Sequence, residues 1–234
     1  MNPSAVHFEA SLVRDLDEPV RRFFTHAIRR GAALAGGVRL TMAGRVKAGA
    51  WLPFTAEQTV DGRSFAWRAR VGWGPVTPLQ VLDRYADGAG STEGRLFGRL
   101  TVFHAADANT TRSAAGRAAL ESVVFAPATV LPARGVTWRA ESEDLIVARF
   151  DLPPEQPEVR ARITASGALQ TVSARRWGNP DGRAFGYVPC GCEVHAERAF
   201  GELQVPSRLS VGWWFGTPRH APFFEAEIRS VGPG

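Results

Sequence analysis

Apolar and polar residues alternate with a period of two along many short runs of this chain. In VRLTMAGRVKA, for example, Val38, Leu40 and Met42 share one face while Arg39 and Thr41 share the other. Successive side chains of a β-strand point to opposite faces of a sheet, so this period predicts strands with one buried and one solvated face. Similar runs recur in FAWRARVGW, GRLFGRLTVFH, LIVARFDL, EVRARITA and FFEAEIRSV, separated by turn-forming residues. About ten strands are expected.

Two segments have a helical period instead. Pro19 suits a first helical turn, and Val20, Phe23, Phe24 and Ala27 after it recur at helical spacing. The second segment is the Ala-rich ANTTRSAAGRAALESVVF. Together the elements predict a mainly β (α+β) fold. We expect an antiparallel curved sheet forming a barrel or half-barrel, with an N-terminal helix and one central helix that packs on it or plugs it.

The 234 residues show no linker, repeat or low-complexity stretch, so we expect a single β-rich domain. Its predicted parts are an N-terminal helical segment (1–36), a first strand group (37–105), a helix with a Pro-rich connection (106–134) and a second strand group (135–234).

Composition narrows the partners and the location. The formal charge is +5, but Lys47 is the only lysine and the arginines are spread along strand-like runs, so a nucleic-acid partner is not expected. No apolar stretch is long enough for a membrane span, and the N-terminus lacks a basic segment followed by an apolar run. We expect a cytoplasmic protein. The sequence carries no signal for the oligomeric state.

Both cysteines lie in YVPCGCEVHAERAF. On one strand, Cys190 and Cys192 share a face, and Glu193, His195 and Glu197 share the other. This alternation keeps His195 from joining the cysteines around a zinc ion, and a disulfide that spans one intervening residue is strained. We therefore predict no metal site and treat the cysteines as small apolar wall residues. Glu193 and His195 are candidates for acid–base catalysis, or belong to a solvated strand face.

His104 and Glu121 are the other candidates for acid–base chemistry. His104 follows Leu100 and Val102 on the apolar face of its strand, which predicts an inward side chain. Glu121 lies four residues after Arg117, so it either forms an ion pair on the helix surface or faces the cavity as an acid. Glycine-rich phosphate loops and hydrolase nucleophile motifs are absent from the sequence, so no cofactor is predicted.

Large aromatic residues recur on strand faces that the alternation predicts to point inward. A half-barrel needs fewer rings than these for its own packing, so we predict that they form a ligand-binding wall. They are Phe65, Trp67, Trp73, Trp213 and Phe215. Gln58 falls on the same side as Phe54 and Ala56, so its amide is predicted to orient a bound ligand.

Several stretches together resemble an uncharacterised bacterial family, a domain of unknown function associated with the half-barrel of lipoprotein carriers. They are WLPFTAEQ, FAWRARV, VLDRYADGAG, the helix with Arg117 and Glu121 followed by PATVLP, GVTW, RRWGNPDG and VPSRLSVGWWFG, and they extend over most of the chain from about residue 18. The resemblance implies a mostly antiparallel sheet curved around an apolar cavity. It implies no particular reaction.

These observations favour a soluble cavity protein that binds a small hydrophobic molecule, such as a lipid or an apolar metabolite, inside a β half-barrel. The alternative is a cofactor-independent cyclase, isomerase or hydrolase that uses the same cavity and His/Glu acid–base chemistry. A third hypothesis is an interaction module that uses the basic outer face of the sheet.

Overall fold

The computed structural model describes residues 6–73 and 76–234. Within these residues, thirteen strands form one sheet in the order β6-β5-β4-β3-β2-β1-β13-β12-β11-β10-β9-β8-β7, and neighbouring strands are antiparallel. The strands are β1 Val38–Ala48, β2 Ala50–Val60, β3 Phe65–Trp73, β4 Val76–Ala86, β5 Ala89–Leu96, β6 Leu100–Ala105, β7 Thr137–Ala140, β8 Leu145–Arg149, β9 Glu158–Ile163, β10 Leu169–Gly178, β11 Gly186–Phe200, β12 Leu203–Trp213 and β13 Ala221–Pro233.

The predicted class is confirmed, but the predicted strand count is too low. GRLFGRLTVFH, expected to be one strand, contains the turn of the β5–β6 hairpin, where Phe97 adopts a left-handed conformation (φ 52°). β4 was not recognised because its polar residues, such as Gln80 and Asp83, interrupt the alternation.

The sheet is a half-barrel. β1 to β6 and β7 to β13 each form a run of sequential neighbours, and the two runs join where β1 pairs with β13, with Leu40 opposite Val231. β6 and β7 end the sheet on opposite sides and do not pair with each other. The sheet therefore curves without closing.

The central helix α2, Ala108–Phe125, packs across the curved sheet, against β4 and β5 on one side and β9 and β10 on the other. We call the face of the sheet that carries α2 the inner face and the opposite one the outer face. The Asp107 side chain caps the helix by accepting a hydrogen bond from the Thr110 backbone N–H (2.8 Å). Apolar residues are buried around much of the second half of α2, which places the helix between both arms of the sheet.

The N-terminal helix α1 is shorter than the predicted helical segment. It spans Glu18–Ala27, after a short 3-10 turn at Ala10–Val13, and it ends because Ile28 becomes extended and bridges to Leu203 of β12. Residues 1–5, which the prediction included, lie outside the described residues.

Phe23 and Phe24 bury the inner stripe of α1 against Trp138 of β7, with ring centroids 5.6 and 5.2 Å from the indole. Neither α1 nor α2 is long and apolar enough to cross a membrane, nor is any other helix in the described part of the chain.

Candidate functional site

A cavity of about 300 Å³ lies between α2 and the inner face of the sheet. This volume is at the lower end of the range for ligand sites, about 300–1,000 Å³. Most of its wall is apolar, including Met42, Leu120, Val124, Leu209, Val211 and Phe224. The cavity therefore offers an apolar environment for one small molecule.

Wider grooves on the outer face are less suitable. One of about 750 Å³ is lined by charged side chains, among them Glu57, Arg68, Arg70 and Glu93. Such a groove gives an apolar molecule little surface to bury, so the inner cavity is the stronger candidate.

A polar cluster occupies one part of the cavity wall. Arg117 Nε donates to Glu121 Oε1 (2.7 Å), and Arg117 Nη1 forms an ion pair with Asp83 of β4. Gln58 Nε2, from β2, donates to Glu121 Oε2 (2.5 Å). Glu121 thus pairs with Arg117 and also lines the cavity, and its role as an acid stays a prediction.

Burial governs the protonation of this cluster. It raises the pKa of Glu121 above its ordinary value of 4.5, although the neighbouring Arg117 acts in the opposite direction. For Arg117, burial favours a lower pKa, but the charges of Glu121 and Asp83 outweigh it and the pKa is raised. The cluster thus combines a permanent cation with a carboxyl group that accepts a proton more readily than in water.

Three of the predicted aromatic residues lie on the inner face. Phe65 and Trp67 are 2% and 6% exposed, and the guanidinium of Arg117 lies over both rings, 4.6 and 5.4 Å from their centroids. Trp213 lines the cavity and stacks on Phe223 with 5.9 Å between ring centroids. Trp67 and Trp213 contact the cavity directly, whereas Phe65 supports it from behind Arg117.

The predicted orientations of Trp73 and Phe215 are wrong. The pairing of β3 with β4 shifts between Val71 and Trp73, and Trp73 is 65% exposed. β12 ends at Trp213, and Phe215 then folds over the outer side of Gly191, where a Cβ would lie 2.5 Å from the Phe215 ring.

His104 was predicted to point inward, and it is exposed instead. It pairs across the β5–β6 ladder with Glu93, which lines the charged outer groove. The prediction failed because β6 is an edge strand with exposed apolar residues, Leu100 at 63% and Val102 at 49%, so an apolar face does not mark the interior there.

Glu193 and His195 also lie outside the cavity. Glu193 alternates with the inward Cys192, and His195 is exposed and hydrogen-bonds Ser210 Oγ (2.9 Å) on the outer face. Irregular pairing around residue 196 separates Glu197 from them, so that its carboxylate instead contacts His26 of α1 (Nε2 to Oε2, 2.8 Å). The predicted shared face is therefore broken by this bulge.

Cys190 and Cys192 line the cavity as free thiols. Burial raises the pKa of both, that of Cys192 to about 12, so they are neutral near neutral pH. Within residues 6–73 and 76–234, no cluster of three or more His, Cys, Asp and Glu side chains is arranged to hold a metal ion.

Three charged residues of the cavity were not predicted from the sequence to belong to the site: Asp83, Arg117 and Arg176. A signal existed for Asp83, because it lies between Val81 and Tyr85 on the face of β4 that carries apolar residues. Arg175 and Arg176 are neighbours on β10. Neighbours on a strand point to opposite faces, so one of these two arginines had to point to the inner face.

The family model for a family of unknown function, DUF6544, matches residues 6–226. The chain belongs to DUF6544. A search of curated proteins found no match to it.

The DUF6544 chain is also similar to solved structures. A LolA superfamily protein from Nitrosomonas europaea aligns with a TM-score of 0.50 and 6% identity, over 92% of each chain. A putative outer membrane lipoprotein-sorting protein domain from Vibrio parahaemolyticus aligns with a TM-score of 0.46 and 10% identity, over 95% of this chain and 91% of that one. A DUF1329 family protein from Desulfovibrio piger gives 0.41 and 8%, over 84% and 85%. The similarity to the LolA superfamily protein confirms the predicted half-barrel at the level of fold.

Proposed function

We propose that this DUF6544 protein binds a small, mainly apolar molecule between α2 and the inner face of the sheet. The observation that carries the proposal is the cavity of about 300 Å³ with a largely apolar wall. Burying apolar surface there favours binding by about 25 cal/mol for each Å² removed from water. A shared fold does not identify a ligand, so the carrier-like neighbours add the architecture alone.

The polar cluster makes one part of the cavity wall polar, while the rest of the wall is apolar. Gln58, Asp83, Arg117 and Glu121 come from β2, β4 and α2, and they meet on one part of a wall that is otherwise apolar. A few polar groups in an apolar pocket orient a ligand and limit which ligands fit. This arrangement suits a molecule with at least one polar group.

The cavity supports binding better than the acid–base alternative. Three of the proposed catalytic residues, His104, Glu193 and His195, lie on the outer face, and the described wall of the cavity contains no histidine. Glu121 remains, but Arg117 and Gln58 already occupy its carboxylate. The cytoplasmic location stays a prediction.

Binding can be measured with decan-1-ol as the probe, by equilibrium dialysis of the labelled alcohol, together with native mass spectrometry of freshly purified protein. We expect saturable binding to one site. Val211→Phe fills the cavity from β12 and should weaken binding tenfold or more, whereas Thr55→Phe adds the same ring on the exposed outer face and should leave it unchanged. Absence of saturable binding, or equal affinity of the two variants, would overturn the proposal.

A further inference from the structure

We propose that the ligand carries an anionic head group, a carboxylate, which the Arg176 guanidinium binds. This inference rests on the proposed function, because it assigns the chemical class of the molecule in the same cavity. It starts from the one arginine of the cavity wall for which the described residues provide no carboxylate partner.

Three contacts hold the Arg176 side chain in place. It extends from β10 across α2 at Gly116, where a Cβ would lie 3.1 Å from Arg176 Cγ, so the glycine leaves room for the stem. Arg176 Nε then donates to the Ser113 carbonyl oxygen (2.9 Å). Its guanidinium lies over the Trp213 ring, 5.1 Å from the centroid. The head of the side chain is therefore fixed at the cavity wall rather than free in solution.

The terminal nitrogens of Arg176 are available. Within the described part of the chain, Nη1 and Nη2 donate to no oxygen acceptor and have no salt-bridge partner, and the guanidinium lies close enough to the Cys190 thiol to offset part of the pKa rise that burial causes there. Arg117 in the same wall differs, because Asp83 and Glu121 both accept from it. A guanidinium fork with free terminal donors matches the two oxygens of a carboxylate.

The surroundings of Arg176 suit the remainder of such a molecule. Trp213, Leu209, Val211 and Phe224 line the same cavity and provide the apolar surface that an alkyl chain requires. The wall already holds two arginines, Arg117 and Arg176, and two carboxyl groups, Asp83 and Glu121, so a carboxylate with one negative charge disturbs this balance less than a phosphate monoester with up to about two. We therefore favour a carboxylic acid with an apolar tail over a neutral apolar molecule.

The test compares decanoate with decan-1-ol, which share the alkyl chain and differ in the head group. We expect decanoate to bind the wild-type protein more tightly than the alcohol. Arg176→Gln should weaken decanoate binding by about ten- to a hundredfold, the range for hydrogen bonds to a charged group, and should change decan-1-ol binding by less than about threefold. Arg176→Lys should restore part of the decanoate affinity, since it keeps the charge and loses the fork.

Arg175→Gln is the matched control. Arg175 is the preceding residue on β10, points to the outer face and donates to the Tyr187 carbonyl oxygen (3.1 Å), so this variant makes the same change of charge away from the cavity. Equal affinities for the acid and the alcohol, or equal effects of the two glutamine variants, would overturn the assignment while leaving the binding proposal intact. If Arg176 only stabilises the fold, Arg176→Gln will weaken both probes alike. If neither probe binds the wild-type protein, the proposed function itself fails.

Discussion

Replacing Arg117 with methionine tests whether one guanidinium holds the charged part of the cavity together. Methionine keeps a long unbranched stem, so most of the packing against the Phe65 and Trp67 rings is retained. The substitution removes the donor to Glu121 Oε1 (2.7 Å) and the ion pair with Asp83. Two carboxyl groups are then left in the wall without the cation that now lies between them.

The expected loss of unfolding free energy depends on how far these side chains are shielded from water. The side chains of Arg117 and Glu121 are each 17% exposed, and that of Asp83 is 22% exposed. Removing one partner of a buried ion pair costs about 3–5 kcal/mol. Gln58 still donates to Glu121, so we expect a loss near the lower end, about 3 kcal/mol. A protein of this size should then unfold about 6–12 °C lower and remain folded at room temperature.

The loss of unfolding free energy in Arg117→Met should depend on pH, because the protonation of Glu121 changes with pH. Burial already raises the pKa of Glu121, and removing Arg117 takes away the main influence that lowers it. A carboxyl group whose pKa is raised in the folded state stabilises the fold when protonated. That contribution is complete below the unfolded pKa and is lost as the pH rises through the folded pKa. The difference in unfolding free energy between wild type and variant should therefore narrow as the pH falls from about 7 toward the ordinary value of 4.5.

Urea unfolding followed by tryptophan fluorescence, at about pH 7 and about pH 5, measures both effects. The control is Arg45→Met, which breaks an ion pair with Glu225 in which the side chains are 56% and 39% exposed, and should cost less than about 1 kcal/mol. Adding Glu121→Gln to Arg117→Met should recover part of the loss, since it removes one of the unpaired carboxyl groups. The reasoning is refuted if Arg117→Met costs no more than the control, or if its cost is the same at both pH values.

Two further predictions concern the cavity wall and the sheet. Because burial raises the pKa of Cys192 to about 12, native protein near neutral pH should react with a thiol reagent far more slowly than urea-unfolded protein, and equal rates would contradict this burial. Gly44→Ala should lower the unfolding free energy by about 1–3 kcal/mol in denaturant titrations, because its Cβ would lie 1.9 Å from the Glu225 carbonyl oxygen of β13. Gly36→Ala, which meets open space, is the control, and equal stabilities would contradict the close strand contact.

The alternation predicted inward positions reliably where two strands pair without interruption. β2 and β3 are regular from Phe54–Val71 to Val60–Phe65, and Gln58 and Trp67, which are opposite each other, both face the cavity as the pattern indicated. In such a hairpin the face of one residue determines the face of every other, so a period of two is sufficient information.

Elsewhere the strands pair irregularly, and there a period of two no longer predicts which face a residue lies on. Along β6, the pairing shifts between Thr101 and Phe103, just before His104 pairs with Glu93. In β11, the shifts around residue 196 separate His195 from Glu197. One inserted residue reverses the face of every residue after it, and the sequence of a single strand does not show where its partner is offset. This explains why Glu197 leaves the predicted shared face of Glu193 and His195, whereas His104 was misplaced because the apolar face of the edge strand β6 is exposed.

The polar cluster shows what the sequence could still have revealed. Arg117 and Asp83 are 34 residues apart, and Gln58 and Glu121 are 63 apart, so periodicity within one element cannot pair them. However, each charged member interrupts an otherwise apolar face, and a charge on such a face is tolerated only when another buried group compensates it. Asp83 on β4 thus required a cation from another element, and the Ala-rich helix offered Arg117. Arg176 interrupts its face in the same way and has no ion-pair partner among the described residues; the Ser113 carbonyl accepts from its Nε, and the proposed carboxylate would bind its terminal nitrogens.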